Sequence, residues 1–165
     1  MKQTGAVYQT VFGELDAAKG VFRKGNVSAG NTYFVGYNKV EGLVKKLCSS
    51  VTHKLNTADT VIEKINLSFD THFDLVTIHP FYDGNGRTSR LLMNYLQLYV
   101  GLPMSIVFKE DKAAYFEALQ QTRQREDIHI FRKFMYGQYE KYLLLEIEKF
   151  EQMDKGKSGG YSFAV

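Results

Sequence analysis

The sequence predicts a mainly α-helical protein with one short β-hairpin near its amino terminus. Over residues 56–78 the apolar positions recur at spacings of three and four, the periodicity of a helix that buries one face. Glycines are concentrated in the first 42 residues, so long helices are not expected before Lys39. The chain has 165 residues, 44% of them hydrophobic, which is enough for one domain with a sizeable core. We expect this domain to span residues 1–153.

The hairpin is predicted within residues 27–35. Turn-forming residues from Ser28 to Asn31 are followed by β-branched and aromatic residues from Thr32 to Val35, which is a strand signal after a turn. The next segment, from Val40 to Ser50, has a helical pattern. We expect its Cys48 to be a small buried hydrophobe, and as the only cysteine it cannot form a disulfide within the chain.

Four further helices are expected. The first runs over 56–78, with Asn56 or Thr57 as its cap, and ends at His79. A buried helix begins near Arg87, and another begins near Glu110 or Asp111 with Ala113, Phe116 and Leu119 facing inward. The last helix runs over 128–153, and its inward residues are Phe131, Phe134, Met135 and Leu143. Residues 154–165 have the composition of a linker and are predicted to form a mobile tail.

Residues 79–90 read His-Pro-Phe-Tyr-Asp-Gly-Asn-Gly-Arg-Thr-Ser-Arg. Gly84 and Gly86 permit a positive φ and close approach of the backbone, so this loop can direct amide N–H groups at an anion. The helix that follows adds N–H donors and the positive end of its dipole. Arg87 and Arg90 lie three residues apart on one helical face, where two guanidiniums can bind separate phosphoryl oxygens. The run therefore predicts a phosphate-binding site.

Asp83 and His79 complete the predicted site. Asp83 is the only carboxylate of the run. It can hold a Mg²⁺ that bridges phosphates, because this ion usually takes one or two protein carboxylates together with phosphate oxygens and water. Histidine side chains ordinarily titrate near neutral pH, which suits His79 as a general base that takes a proton from an attacking hydroxyl.

The twelve residues match every defining position of the HPFx(D/E)GNGRxxR signature of the Fic family, which the chain resembles from about Val21 to Tyr136. Further matches in order are a glycine-rich aromatic stretch from Phe22 to Tyr37, where Fic proteins carry a β-hairpin flap, then Gly101-Leu102-Pro103 and residues 115–119. The resemblance implies the Fic fold, a bundle of about six helices with a short β-hairpin flap. It also implies transfer of AMP from ATP to a Ser, Thr or Tyr hydroxyl of a target protein, with release of pyrophosphate.

The resemblance assigns roles to the residues of the run. His79 is the general base, Asp83 holds Mg²⁺, Asn85 contacts the α-phosphate and Arg90 takes the γ-phosphate. One of Tyr115 and Phe116 would line the adenine pocket, with core packing as an equal alternative for both. The ATP-binding residues that it implies are Gly84, Asn85, Gly86, Arg87, Arg90, Tyr115 and Phe116.

In Fic proteins the flap pairs with the backbone of the target, which assigns Thr32, Tyr33 and Phe34 to target docking. An edge strand without function is the alternative. Many family members also carry an inhibitory helix with the pattern (S/T)xxxE(G/N). The nearest match, Thr10 to Glu14, has Leu15 at the last position, and Thr122 to Glu126 lies within the expected core. We therefore expect no inhibitory helix in this chain, and two alternatives stay open: a chain shortened at its amino terminus, or control by a separate inhibitory partner.

The composition bears on partners and location. The chain has a net charge of +3, and its basic residues are scattered along the sequence, which does not suggest nucleic acid as a partner. No stretch approaches the ~18 apolar residues of a membrane-spanning helix, so no membrane association is expected. A cytoplasmic protein is predicted, and a secreted effector would have the same composition. The sequence leaves homo-oligomerisation open.

Two alternative functions remain at this point. A Fic-fold transferase could use another nucleotide or a phosphoryl donor, but family members of that kind usually depart from the signature. A non-catalytic nucleotide-binding or interaction module would be favoured by loss of His79 or Asn85. Both residues are present in this chain.

Overall fold

The computed structural model describes residues 20–30 and 32–158, with side chains as far as residue 154. It divides into two compact units, one ending at Leu102 and the other beginning at Pro103. Across the described ranges it contains five α-helices and one two-stranded antiparallel hairpin. This confirms the predicted fold class. The single domain over residues 1–153 stays a prediction.

The hairpin consists of β1 (Ser28–Ala29) and β2 (Thr32–Tyr33), and Ser28 pairs with Tyr33. Gly30 lies in the turn with a φ of 54°, in the left-handed region that glycine adopts without a steric cost. The Phe34 N–H donates to the carbonyl of Val27 at 3.3 Å, which extends the pairing past the strands. The predicted hairpin is therefore confirmed, and we refer to the hairpin with its flanking residues, 25–30 and 32–35, as the flap.

The first unit contains helices α1 (Tyr37–Thr57), α2 (Val61–Ile78) and α3 (Asn85–Tyr99). The helix expected over 56–78 begins only at Val61, because Asn56 and Thr57 form the last turn of α1. Thr60 caps α2 instead. Its hydroxyl accepts a hydrogen bond from the Glu63 N–H at 3.2 Å, and the Glu63 carboxylate accepts one from the Thr60 N–H at 2.9 Å. This reciprocal capping box separates two helices that the apolar pattern alone would join.

The core of the first unit lies between α1 and α2. Val40, Val44 and Leu47 of α1 pack against Leu75 and Ile78 of α2. Cys48 is exposed, so the prediction that it is buried is wrong. It follows the buried Leu47 by one residue, which on a helix turns it about 100° away from the core face.

Helix α3 begins at Asn85, two residues before the predicted start, and is amphipathic rather than buried on all sides. Met93 and Gln97 are fully buried, and the Gln97 amide donates to the Ser68 hydroxyl of α2 at 3.1 Å. Several of the apolar residues on which the buried helix was predicted are instead exposed: Leu91, Tyr95, Leu98 and Tyr99.

The second unit contains a 3-10 turn (Lys109–Asp111), α4 (Lys112–Arg125) and α5 (Ile128–Ser158). Ala113 and Phe116 of α4 are exposed, so their predicted inward position is wrong. The buried face is instead centred on Tyr115, whose ring packs against Phe131 and Phe134 of α5. That face comprises Tyr115, Ala118, Leu119 and Thr122.

Helix α5 buries Phe131 and Met135 as predicted, with Phe134 and Leu143 half-buried. It continues to Ser158, beyond the predicted end at Met153, and the mobility of the tail over residues 154–165 stays a prediction. The rest of that predicted tail, residues 159–165, lies outside the described residues. None of the helices in the described ranges is both long and apolar enough to cross a membrane.

Replacing Thr60 with Ala removes the cap of α2 and should lower the free energy of unfolding by about 1 kcal/mol. Thr57→Ala is the matched control, because the Thr57 hydroxyl is exposed and bonds only to carbonyls of its own helix. That change should stay within about 0.5 kcal/mol of the wild type in urea unfolding. Equal losses in the two variants would contradict the role of Thr60.

The buried imidazole of His72 should make the protein less stable in acid. Burial first, and then the positive charge of Arg90, lower the pKa of His72 from 6.5 to about 3. As the pH falls below 6.5, His72 becomes protonated in the unfolded chain but stays neutral in the folded protein. The free energy of unfolding therefore decreases. The loss from this residue should reach about 2 kcal/mol at about pH 5.

The measurement compares urea unfolding at about pH 8 and about pH 5 for the wild type, His72→Gln and His53→Gln. The His72 variant should lose less stability between the two values of pH than the wild type does. The exposed His53 serves as the control, and its variant should keep the wild-type dependence on pH. An unchanged pH dependence in His72→Gln would show that His72 is protonated in the folded protein.

Candidate functional site

His79 ends helix α2 in a left-handed conformation, with φ 53° and ψ 60°. Its N–H still donates to the Leu75 carbonyl at 3.0 Å, which closes the last helical turn. The following residue, Pro80, disfavours a helical conformation at the residue before it, so the sequence itself stops the helix here. A non-glycine residue in the left-handed region costs about 1–3 kcal/mol and persists only where its surroundings hold it.

The imidazole of His79 is held on two sides. Its Nδ1 lies 3.2 Å from the Val76 carbonyl oxygen. A carbonyl can only accept a hydrogen bond, so Nδ1 carries the hydrogen and Nε2 keeps its lone pair in the neutral ring. The Phe34 ring of the flap stacks on the imidazole, with centroids 3.7 Å apart and planes inclined by 18°. This arrangement leaves Nε2 as the nitrogen that can take a proton.

The loop after His79 is braced by Asn85. Phe81 is buried, and its backbone N–H and carbonyl both bond to the Asn85 side chain, at 2.9 and 2.8 Å. Gly84 has a φ of 82°, which allows the chain to turn into α3. The structure thus uses the Asn85 amide to fold the loop, while one hydrogen of its Nδ2 is not used by this pair of bonds. The contact of Asn85 with a phosphate stays a prediction.

Helix α3 presents its amino end at this loop. The Thr88 N–H donates to the Gly84 carbonyl at 2.9 Å, which opens the ladder of helical bonds and leaves the amides of residues 85–87 in the first turn. Gly86 is part of the helix, and a Cβ built on it would lie 3.5 Å from Nη1 of Arg90. The Arg90 guanidinium therefore reaches back to the first turn. Backbone amides, helix dipole and Arg90 together form a site suited to an anion.

Asp83 and Arg87 form an exposed ion pair at the edge of this site. One carboxylate oxygen of Asp83 accepts from the Gly84 N–H at 2.6 Å, and the other accepts from Arg87 Nη2 at 3.1 Å. Exposed pairs at this spacing contribute only about 0.3–0.5 kcal/mol, so either partner can exchange the other for a ligand.

In the described part of the chain no three side chains form a cluster of metal-ligating type. A single carboxylate nonetheless suits Mg²⁺, since that ion takes its other ligands from phosphate and water.

Sequence reasoning missed Arg23, which is only 2% exposed. Its Nε donates to the His79 carbonyl at 2.8 Å and its Nη1 to the Gly25 carbonyl at 2.9 Å, while Nη2 donates to the carbonyl of Val35. Burial lowers the pKa of this guanidinium from its ordinary value. The only signal in the sequence is a cation that directly follows the apolar Val21 and Phe22.

The remaining predicted site residues lie on the flap and in the second unit. Of the three flap residues, Phe34 contacts the imidazole, Tyr33 is 87% exposed and Thr32 is half-buried. Tyr115 and Phe116 belong to the second unit, where Tyr115 is a core residue and Phe116 is exposed. Their part in adenine binding stays a prediction. The segment from Thr10 to Glu14 lies outside the described residues.

Several known proteins resemble this chain in sequence. Protein adenylyltransferase Fic of Drosophila virilis is 33% identical over 145 residues, which cover 87% of this chain and 29% of the fly protein. The protein of the same name from Drosophila melanogaster is 33% identical over 139 residues, covering 83% of this chain and 27% of the relative. The chain thus spans less than a third of the length of these relatives.

Solved structures agree in fold. Residues 134–508 of Fic-1 from C. elegans superpose with a TM-score of 0.79 at 25% identity, over 92% of this chain and 44% of that one. A Fic-domain-containing signaling protein from Bacteroides thetaiotaomicron gives a TM-score of 0.74 at 20% identity, over 83% and 57% of the two chains.

The family assignment follows from the sequence match and agrees with the geometry. Residues 2–97, more than half of the chain, match the model of the Fic/DOC family. The matched range includes the flap, His79 and the amino end of α3, which the structure brings together around one loop. The chain therefore belongs to the Fic/DOC family.

Proposed function

We propose that this chain is a protein adenylyltransferase, which transfers AMP from ATP to a Ser, Thr or Tyr hydroxyl of a target protein and releases pyrophosphate. The observation that carries the proposal is the contact of the His79 Nδ1 with the Val76 carbonyl, which in the neutral ring places the lone pair on Nε2. A base of this kind suits a hydroxyl nucleophile. The relatives named protein adenylyltransferase Fic support the choice of donor and of a protein target.

The amino end of α3 suits the phosphates of ATP. The amides of the first turn and the Arg90 guanidinium lie at the same end of the helix, where the helix dipole also favours negative charge. We assign Gly84 to Arg87 to the α- and β-phosphates and Arg90 to the γ-phosphate. This chemistry needs little beyond positioning and stabilisation of charge.

In the transfer step His79 acts on the target. Its Nε2 takes the proton of the target hydroxyl as that oxygen forms a bond to the α-phosphorus. The bond between the α-phosphorus and the oxygen bridging to the β-phosphate breaks, and pyrophosphate leaves with the electron pair of that bond. The target retains AMP as a phosphodiester.

Asp83 is the residue that would hold Mg²⁺. Its carboxylate is oriented by Gly84 and Arg87, and 79% of its side chain surface is exposed, so it can reach an ion that arrives with the nucleotide. When bound, Mg²⁺ neutralises phosphate charge and orients the phosphates. The carboxylate is held at the same loop that presents the first-turn amides.

The flap is the surface that we assign to the target protein. Its strands are two residues long, and Tyr33 is exposed beside the Phe34 that covers His79. A short edge of this kind can pair with an extended segment through main-chain hydrogen bonds. Such pairing would place a hydroxyl of the segment close to the imidazole.

Replacing His79 with Ala should reduce transfer by about 10²–10⁴-fold, because the general base is lost. Affinity for ATP should stay close to that of the wild type, since the base acts on the hydroxyl and not on the nucleotide. The measurement is incorporation of label from ATP carrying a labelled α-phosphate, together with calorimetric affinity for ATP.

His53→Ala is the control for the His79 variant, because His53 is an exposed histidine of α1. It should retain wild-type transfer. Transfer at the wild-type rate by the His79 variant would exclude His79 as the base.

Thermal stabilisation by ATP should also exceed that by GTP, CTP or UTP, since a ligand that binds only the folded state raises the melting temperature. Preference for another nucleotide would point to the alternative transferase.

Replacing Asp83 with Asn should lower both the affinity for Mg²⁺-bound ATP and the rate of transfer, because the amide carries no charge for the ion. ATP affinity measured with excess chelator should change little. The matched control is Asp59→Asn, an exposed aspartate in the segment between α1 and α2. Activity that follows the wild-type Mg²⁺ titration curve in the Asp83 variant would contradict the assignment.

A further inference from the structure

We propose that Arg23 is a positioning residue for His79: its side chain ties the flap to the backbone of the general base, so that the flap and the imidazole are held as one unit. The proposal adds a residue to the proposed function and rests on it. Arg23 lies outside the signature run of residues 79–90, on a segment 56 positions earlier in the chain. Arg23 is therefore not part of the motif, although it acts on the motif's first residue.

The contacts of Arg23 join three parts of the chain. Its guanidinium donates to the carbonyls of Gly25 at the start of the flap, Val35 at the end of the flap, and His79. Its own backbone N–H donates to the Pro80 carbonyl at 2.9 Å. One residue thus engages two consecutive carbonyls at the end of α2 and both ends of the flap.

A buried guanidinium is costly unless its donors are satisfied. The side chain of Arg23 is only 2% exposed, and each acceptor named above is a backbone carbonyl. Because a guanidinium presents its donors in one rigid plane, it fixes the relative positions of these three carbonyls. A lysine has one flexible nitrogen and cannot reproduce that arrangement.

His79 needs such support. Its left-handed backbone is a conformation that surrounding contacts must hold, and Arg23 binds the carbonyl of that same residue. The imidazole also stacks on Phe34, which is adjacent to the Val35 that Arg23 holds. The Arg23 guanidinium therefore holds the backbone of His79 directly and its ring through the flap.

The expected consequence is a defect in chemistry rather than in nucleotide binding. Release of the His79 carbonyl would let the residue rotate, which separates Nδ1 from Val76 and moves Nε2 away from its productive position. Misplacement of a reacting group by about 1 Å can cost about 10²-fold in rate. The amides of α3 and the Arg90 guanidinium are not bonded to Arg23 and should keep their affinity for ATP.

The experiment compares Arg23→Lys, Arg23→Met and the matched control Lys24→Gln. Lys24 is exposed, and only its backbone N–H takes part in a described hydrogen bond, to Tyr82, so its side chain can be changed without touching His79. For each protein we would measure kcat, the KM for ATP, the melting temperature and the ¹⁵N NMR signals of the His79 ring, which report which nitrogen carries the hydrogen.

The proposal expects kcat to fall about 10–100-fold in Arg23→Lys, with the KM for ATP changed by less than about threefold. The His79 signals should change from a single form with hydrogen on Nδ1 to a mixture of both forms. Lys24→Gln should match the wild type in every measurement. Arg23→Met should have a defect at least as large, because it also loses the charge.

Three outcomes would overturn the proposal. One is a folded Arg23→Lys protein with wild-type kcat. A second is a loss of kcat with the His79 signals unchanged, and the third is failure of Arg23→Lys to fold. The second and third outcomes would each assign Arg23 a structural role only. The NMR measurement needs no turnover. If the wild type itself transfers no AMP while the Arg23 variant alters the His79 signals, the proposed function fails and the positioning of His79 by Arg23 stands.

Discussion

The end of helix α2 at His79 is the constraint on which the site depends. Helix, loop and flap all meet at a residue whose backbone is left-handed, and Pro80 prevents the helix from continuing through it. The conformation is unfavourable by itself. It is maintained because the Leu75 and Val76 carbonyls accept from the His79 backbone and ring, while its own carbonyl accepts from Arg23. A helix terminus thereby supports the imidazole that we propose as the base.

The start of helix α3, where we propose that phosphates bind, is formed in a different way. The Asn85 side chain closes the loop onto the Phe81 backbone, and Gly84 supplies the positive φ that leads directly into α3. The loop can therefore be short and still bring the first helical turn close to His79. Backbone amides and long cationic side chains lie at this end of α3. The rigid part of the loop is the pair of hydrogen bonds between the Asn85 side chain and the Phe81 backbone.

The sequence predicted this loop well because its geometry is local. A proline, two glycines and an asparagine within seven residues leave few conformations, and the turn, the helix start and the left-handed Gly84 all lie within that stretch. The failures have another origin. Which face of α4 is buried, and whether Cys48 is buried, depend on the residues that other elements pack against these helices. Thr60 was overlooked although its capping box with Glu63 is visible in the sequence.

Arg23 could not be found from the sequence for a related reason. Its acceptors are backbone carbonyls, which every residue carries, and one of them belongs to a residue 56 positions away. A cation beside an anion leaves a pattern of charges in the sequence, whereas a cation bound to carbonyls leaves none.

The flap has a consequence for the order in which the protein folds. Two ladder pairs are too few for a hairpin to be stable in water by itself. Its order therefore depends on contacts outside the ladder, among them those of Arg23, the stacking of Phe34 on His79 and the packing of Val35 against the core. Contacts of such long sequence separation form late, and segments held by few of them open first. We therefore expect the flap to open before helices α1 and α2, so that its protection from hydrogen exchange reports whether the end of α2 is correctly made.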